Sequence, residues 1–582
     1  MKEVDELSFL RNFGYPEEWI KEGGRYGPND SYVITHTSWA WEPIPPIPEI
    51  SIYDLWKRSV EKYPEETAVI FLDKKITYRE LDLMINRYAS LLLDLGVKKG
   101  DVVATMLPNS LQHWIAFFGA VRIGATHTPL NVMYKEREIA YQIKDSGAKT
   151  VVTMDLFYSL YFAKLKEELG IENVILTNLK DFAAPDTNVK ALGALKPFWY
   201  APRTKIKGTI NLFDSIAKYE PTDLEVKCDP KEDLALLLYT AGTTGEPKGV
   251  MCTHFNLVFN TLSHTHLLKA WKRREVDYSI MPMFHTAGYF LHPLPTFYQG
   301  GTVIPIPIFD AEETLRIMQQ YGVNITFGPP TFYIALLQHP KFKEYDLSSL
   351  ELTIGCGAPV PVAVQKQWHD SCGTTLTNGW GMTETNCGGC ISAVGIKEKL
   401  DSIGLPVAAE MKVVDDEGNI VHRGEPGECL YRGFQVAKGY LNKPEQTKET
   451  FLDDGWMRTG DMMFLDEEDF VHFVDRKKDL IVASGYNVAP VEIEDVIYEH
   501  PAVLETAVVG VSDPYRGETV KAFISLKDEY KGKVKEEEII DFCKDKLATF
   551  KVPTAVEFIE EIPKNIVGKA LRRELREREA KK

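Results

Sequence analysis

The chain is poor in cysteine. Its 582 residues carry eight, Cys228, Cys252, Cys356, Cys372, Cys387, Cys390, Cys429 and Cys543, and these are scattered. That spread excludes the disulfide-dense scaffold of a small secreted domain. Cys387 and Cys390 form the one CxxC, with no histidine at finger spacing after it. A single such pair does not close a four-ligand zinc site, and small residues beside a pocket are the plainer reading. Long apolar runs are also missing: none approaches the ~20 residues that span a bilayer. The opening "MKEVDELSFLRNFGYPEEW" is acidic and lacks the basic-then-apolar order of a secretory signal. A reducing cytoplasm is therefore expected, with no transmembrane segment and with peripheral membrane contact left open. Positive charge is in deficit, 67 Lys and Arg against 84 Asp and Glu, for a formal net charge of −17. Such a surface repels a phosphate backbone instead of releasing its counterions, which argues against a nucleic-acid partner. A local basic patch could still hold a small polyanion. Internal repeats and low-complexity tracts are absent as well, which excludes a solenoid.

What the chain does contain is regular alternation. An apolar fraction of 44% is ordinary for a globular protein, and the length predicts one large body with a smaller companion. Residues 1–50 are rich in Trp and Pro, end in "EPIPPIPEI" and predict an extended strap. Ser51 is placed to cap a helix running to Tyr63. "ETAVIFL" predicts a buried strand, and Thr77 with Glu80 predicts a capping box before a helix stopping at Gly96. "DVVATMLPN" is a further strand, followed by a helix from Ser110 to near Gly124. "ETLRIMQQYG" with "VNITFGPP", and then "LELTIGCGAP", repeat the logic. Short runs rich in β-branched residues, separated by helices, predict parallel strands with crossover helices. Several end in Gly/Pro loops, where open α/β sheets bind ligands. After about residue 400, "VVDDEGNIVHRGEPGECLYRG" alternates like antiparallel strands. The expected fold is thus α/β: a large N-terminal body of parallel-sheet subdomains plus a β region at 51–477, then a small, mobile α+β domain at 478–582.

One loop carries chemistry on its face. In "LLLYTAGTTGEPKGV" an apolar strand runs into Thr240, Ala241, Gly242, Thr243, Thr244, Gly245 and Lys248. Glycines let backbone N–H groups approach a ligand closely, the threonines add hydroxyl donors, and the lysine adds charge. The set suits a phosphate chain, although proline before and glycine after the lysine depart from a Walker A loop.

This loop resembles the phosphate-loop signature of the adenylate-forming enzymes, which include acyl-CoA synthetases, peptide-synthetase adenylation domains and luciferases. Further segments match that family in order: "MPMFHTAG" (281–288), "GCGAPV" (355–360), "NGWGMTET" (378–385), "GWMRTGD" (455–461), "DRKKDLIVASGYNVAPVEIE" (475–494) and "PKNIVGK" (563–569). The likeness runs from about residue 50 to 575 and is strongest to medium- and long-chain fatty acid–CoA ligases.

The resemblance implies a site. The loop 240–248 would hold the ATP phosphates, and Glu384 with Thr240 would hold Mg²⁺, which takes one or two carboxylates beside phosphate oxygens. Trp380 would stack on adenine, with Gly357, Ala358 and Pro359 on the other side and Asn378, Gly379, Gly381, Met382 and Thr383 around it. The family usually has tyrosine at 380; stacking survives that change but a hydroxyl contact does not. Asp461, helped by Arg476, would accept the ribose hydroxyls, a charge-assisted pairing. Lys569 matches the family's catalytic lysine, which stabilises charge developing on the carboxylate and α-phosphate. Asn565 and Val567 replace hydroxyl residues common there, so Lys564 is kept as a rival. Lys478 stands at the hinge position, and Gly485 and Tyr486 at the segment that comes to face the thioester site.

The implied reaction has two halves. A carboxylate attacks the α-phosphate of Mg·ATP, giving an acyl-adenylate and pyrophosphate; after the small domain rotates, the thiol of coenzyme A displaces AMP. His285, Gly288, Tyr289, Gly381 and Thr385 would border the acyl group, with Asn386, Cys387 and Gly388 along another wall. Acetate-specific relatives carry a second tryptophan where Gly381 stands, so an open pocket for a medium- or long-chain fatty acid is expected. An aryl- or other carboxylic acid–CoA ligase, and a catalytically silent acyl- or nucleotide-binding relative, remain alternatives. Homodimerisation is left open.

Overall fold

The computed structural model describes the strand Tyr32–Thr35, residue 196, and residues 47–187, 206–240, 246–267, 274–392, 399–483, 486–513, 517–565 and 568–580. The proline-rich part of the expected strap, 36–46, lies outside them, as do Ala241 to Gly245 of the glycine loop and Gly485.

Local sequence sets the helices. Ser51 caps Ile52–Lys62, its hydroxyl oxygen accepting from the Asp54 N–H while the Asp54 carboxylate accepts from Ser51 N–H. Thr77 and Glu80 close the same reciprocal box at the head of Tyr78–Asp94. Ala311–Tyr321 starts on Asp310 and ends on Gly322, whose φ of +61° needs no Cβ.

Among the described residues the strands form four sheets. One has nine strands. Its core runs parallel through Thr67–Phe71, Thr302–Pro305, Val276–Ser279, Ile325–Gly328, Leu352–Gly355 and Leu376–Gly381. A second has seven, with Val102–Met106, Thr126–Pro129 and Thr150–Met154 at its centre, parallel throughout except for one edge. The expected parallel strands thus form the centre of both sheets, and antiparallel strands are added at their edges. Lys74–Thr77, Lys248–Thr253 and Gly389–Ile391 each pair antiparallel with the strand just before them in the chain. The reason is loop length. Leu72 and Asp73, both at positive φ (47° and 66°), turn the chain back in two residues, too short for a crossover. The third sheet is antiparallel, Tyr32–Thr35 lying beside Ala409–Val414, then Gly427–Arg432, Met457–Leu465 and Val471–Arg476.

Sheet membership changes between Val471–Arg476 and Ile481–Ala483, across Lys478. The later strand joins a separate sheet with Tyr486–Val488, Gly517–Leu526 and Val503–Asp513, to which Ala555–Phe558 adds in parallel. This small α+β domain has its own core of Ile481, Val488, Ile493, Ile497, Val508, Ile524 and Ile539. The molecule is a large α/β domain with mixed sheets followed by this smaller one. Among the described residues no helix is long and apolar enough to cross a membrane.

Candidate active site

The hairpin strands Leu234–Thr240 and Lys248–Thr253 flank the glycine loop, and Thr240 stands directly opposite Lys248. Gly249 is required by packing: a Cβ there would meet the Tyr239 ring at 2.9 Å. A third segment lies along the hairpin. Met251 N–H donates to the Gly439 carbonyl, Lys438 N–H to Met251 and Leu441 N–H to Gly249, with a bridge between Val250 and Tyr440. This lateral pairing brings Tyr440 beneath Lys248, whose Nζ lies 4.4 Å from the ring centroid. The Tyr440 hydroxyl donates to Glu384 Oε1 at 2.7 Å. Burial, and then the Glu384 charge, push the Tyr440 hydroxyl pKa up, so it stays a donor. Lys248 and Glu384, 136 residues apart and on different elements, are thus tied through one aromatic side chain that sequence reading missed. Nothing local marks Tyr440; its role exists only through the pairing of 438–441 with 249–251.

The strand Leu376–Gly381 carries several of the residues expected around the nucleotide. Asn378 is structural in its contacts, its Oδ1 accepting from Val360 N–H at 2.8 Å and so bracing the 355–360 loop. Gly357 takes φ +82° in that loop and is exposed, with Ala358 and Pro359 half-buried. The Trp380 ring lies over Gly389, where a Cβ would come 2.7 Å from its Cε3 and 2.0 Å from the Trp380 carbonyl oxygen. The indole N–H donates to Asp461 Oδ2 at 2.8 Å. The tryptophan thus supplies a donor that its flat face alone did not suggest. Asp461 is 6% exposed, and its Oδ1 lies 3.7 Å from Arg476 Nε on the paired strand. Burial pushes the carboxyl up, while Arg476, the Trp380 N–H and Lys569 hold it down.

Lys569 comes to this place from the small domain. Hydrogen bonds tie the described residues of 563–571 together: Asn565 N–H donates to the Lys569 carbonyl at 2.9 Å, Lys569 N–H to Asn565 Oδ1 at 2.9 Å, and Leu571 N–H to the Pro563 carbonyl at 2.8 Å. Gly568, at φ +75°, is pressed against the body, where a Cβ would meet Thr331 Oγ1 at 2.6 Å and Pro329 Cβ at 2.9 Å. The Lys569 ammonium is pushed down to about 8 by burial, then by Arg476, with Asp461 opposing. The rival, Lys564, is held by both oxygens of Glu505 at 2.7 and 2.8 Å within the small domain. Asn565, the departure from a hydroxyl residue, acts through its side-chain oxygen as the loop's internal acceptor. Lys478 is exposed in the turn between the two sheets. Tyr486 opens the strand Tyr486–Val488.

Of the residues expected around the acyl group, Gly288, Tyr289 and Thr385 are buried, His285 is half-buried and Gly381 is exposed. Tyr289 is 0% exposed, with its hydroxyl 3.1 Å from His127 Nδ1 and also hydrogen-bonded to His113 Nε2; His127 Nε2 in turn meets Thr105 Oγ1 at 3.0 Å. His285 Nδ1 accepts from Ala287 N–H at 3.2 Å, and its enclosed position pushes its pKa down to about 4, leaving it neutral. Gly288 serves a close approach rather than an open space, since a Cβ would lie 2.3 Å from the Pro282 carbonyl oxygen. Gly381 is similar: a Cβ there would lie 2.6 Å from the Cys387 carbonyl oxygen. A larger residue at 381 would therefore displace the Cys387 main chain instead of simply filling a pocket. Thr385 is buried, and its hydroxyl both accepts from Met382 N–H and donates to the Met382 carbonyl.

Comparison with known proteins gives the following. The family described as AMP-binding enzyme matches residues 56–441, and the AMP-binding enzyme C-terminal domain matches 492–569. A long-chain-fatty-acid–CoA ligase of Bacillus subtilis (strain 168) is 38% identical over 92% of this chain and 95% of its own length. One from Escherichia coli O157:H7 is 36% identical over 90% and 94%. Among solved structures, ATP-bound MatB from Rhodopseudomonas palustris aligns with a TM-score of 0.80 at 30% identity, covering 91% of this chain and 99% of that one. The anthranilate CoA ligase AuaEII, in complex with anthranoyl-AMP, gives 0.81 at 28% identity, covering 92% and 98%.

Proposed function

Because the chain belongs to the AMP-binding enzyme family, as an adenylate-forming acid–thiol ligase of the acyl-CoA ligase superfamily, we propose that it activates a medium- or long-chain fatty acid with ATP and transfers the acyl group to CoA. The observation that carries the reading is the docking of the Lys569 loop on the body: Gly568 is pressed against Thr331 and Pro329, and the Lys569 ammonium feels the charges of Arg476 and Asp461. Asp461 accepts the ribose hydroxyls, Trp380 stacks on the base, and the 240–248 loop takes the phosphates. Lys569 then meets the charge that grows on the α-phosphate as the carboxylate attacks. Phosphoryl chemistry of this kind depends on positioning and charge neutralisation. Tyr440 engages only Oε1 of Glu384, which suits a Mg²⁺ held by Glu384 and Thr240; the ion would neutralise the phosphate chain.

The fatty-acid reading is supported by the fatty-acid ligases among the relatives at 36–38% identity and by the apolar surroundings of Tyr289, Phe117 and Phe290. Each buried methylene of an acyl chain contributes about 0.8 kcal/mol. The test is pyrophosphate release with ATP and acids of graded length, aryl acids included, with and without CoA. Turnover that rises with chain length and needs CoA for thioester product is expected. Preference for benzoate or anthranilate over dodecanoate would replace the acid, and no turnover with any acid would favour a silent binder.

Tyr440 gives an independent check. Tyr440→Phe keeps the ring under Lys248 and removes the donor to Glu384, so acyl-adenylate formation should fall about 10-fold, as for losses of outer-shell partners. Tyr440→Leu removes both contacts and should cost more. Equal rates for the two variants, read by pyrophosphate release at saturating ATP, would show that the ring does not hold Lys248.

A further inference from the structure

A second set of charges joins the two domains away from the substrate-facing atoms. Asp475 lies in the strand Val471–Arg476 of the body's antiparallel sheet, next to Arg476. Its carboxylate is 1% exposed. One donor comes from its own strand, the Arg476 N–H at 2.7 Å. The others come from the small domain: Val491 N–H at 3.3 Å, and Arg572 Nη1 at 3.0 Å to one oxygen and 3.3 Å to the other. The second nitrogen of Arg572 forks onto Glu494 at 2.9 and 2.8 Å, and Glu494 sits on the small-domain helix Pro490–Tyr498. Arg572 opens the helix Arg572–Ala580, three residues beyond Lys569. The described residues before it are tied together by the Asn565–Lys569 and Pro563–Leu571 hydrogen bonds, so fixing Arg572 fixes the stem from which Lys569 projects.

We propose that the Asp475–Arg572 pair is a latch: it positions Lys569 for acyl-adenylate formation and must part before the thiol step. The inference rests on the two-step reading above. Two features single out this pair. Asp475 is a body carboxylate satisfied mainly by small-domain donors, so a small domain turned about Lys478 leaves it without its cation. Arg572 keeps Glu494 in any pose, because both move together. The latch therefore has one side that releases and one that stays, and a buried charge pair of this kind is held firmly as long as both partners are present. Neither residue touches the reacting atoms; both act through Lys569.

The experiment separates the two half-reactions in the full chain. Asp475→Asn keeps size and removes the charge. Acyl-adenylate formation from dodecanoate and ATP should fall about 10-fold, while thioester formation from supplied dodecanoyl-adenylate and CoA stays level or rises. A parallel fall in both half-reactions, or no change in either, overturns the latch. If Asp475→Asn is inactive in both because it does not fold, Arg572→Lys decides the matter. It retains one charged contact and should show the same split more weakly, whereas an equal loss in both steps overturns the proposal. A wild-type chain that releases no pyrophosphate with any acid sinks the two-step reading instead, and the latch with it.

Discussion

Lys569→Ala slows acyl-adenylate formation by about 10²–10³-fold, the effect expected when a preorganised donor to developing charge is removed, and leaves thioester formation from supplied acyl-adenylate nearly intact. The asymmetry follows from where the side chain stands. The charges it feels most strongly include Arg476 and Asp461, the groups proposed for the ribose. The same surroundings set a pH dependence. The ammonium is pushed down to about 8 by burial and by Arg476, so it is charged below that value and loses its proton above it. Adenylation measured as kcat/KM should therefore fall as pH rises through about 8. In kcat the fall should move upward, because bound phosphates favour the charged form. Stability runs the other way. With a folded pKa below the unfolded one, the unfolded chain binds more protons between about 8 and the ordinary lysine range, so this group's contribution rises with pH there. Lys569→Met should accordingly fold at least as well as the wild type at neutral pH in a thermal melt. A variant that loses both half-reactions equally, or a kcat/KM profile flat from pH 7 to 9.5, would remove Lys569 from the chemistry.

Asp461→Asn raises the KM for ATP by about 10- to 100-fold, since a hydrogen bond to a charged group contributes about 1.5–3 kcal/mol, with a smaller change in kcat. The carboxylate is buried, with Oδ2 on the Trp380 indole and Oδ1 toward Arg476. Its pKa is raised by burial, so the folded state carries this ionised group at a cost at neutral pH. That cost grows as pH rises through the shifted value. Removing the charge is thus expected to leave the melting temperature unchanged or higher, which isolates the effect to substrate binding. A ribose role makes a sharper demand. The wild type should favour ATP over 2′-deoxy-ATP, and the variant should narrow that gap. A gap of the same size in both proteins would show that Asp461 meets something other than the sugar.

Much of this site is written locally. Thr77 and Glu80, Ser51 and Asp54, and Gly322 fix helix ends through contacts within a few residues. The short apolar runs at 102–106, 325–328 and 352–355 appear as the buried parallel strands their composition predicts. The choice between Lys569 and Lys564 was different in kind. Both are loop lysines in the same short segment; the family motif favours Lys569, and the structure adds that Lys564 is paired with Glu505 while Lys569 feels the charge of Asp461. Gly288 and Gly381 show the opposite limit: both invite an open pocket on paper, yet each lets main chain pass closely by.

The sequence by itself determined the alternation of strand and helix, the small α+β domain after the antiparallel region, and the ordered motifs of the AMP-binding enzyme family. These rest on periodicity, capping and ordered motifs, all encoded over short distances. Only the tertiary structure decided that Tyr440 links Lys248 to Glu384, that Trp380 donates to Asp461, and that Asp475 finds its cation in Arg572. Each of these joins residues 56 to 192 positions apart in chain and depends on lateral strand pairing or on the docking of one domain against another. Such contacts arise from packing in space, and no local pattern of residues records them.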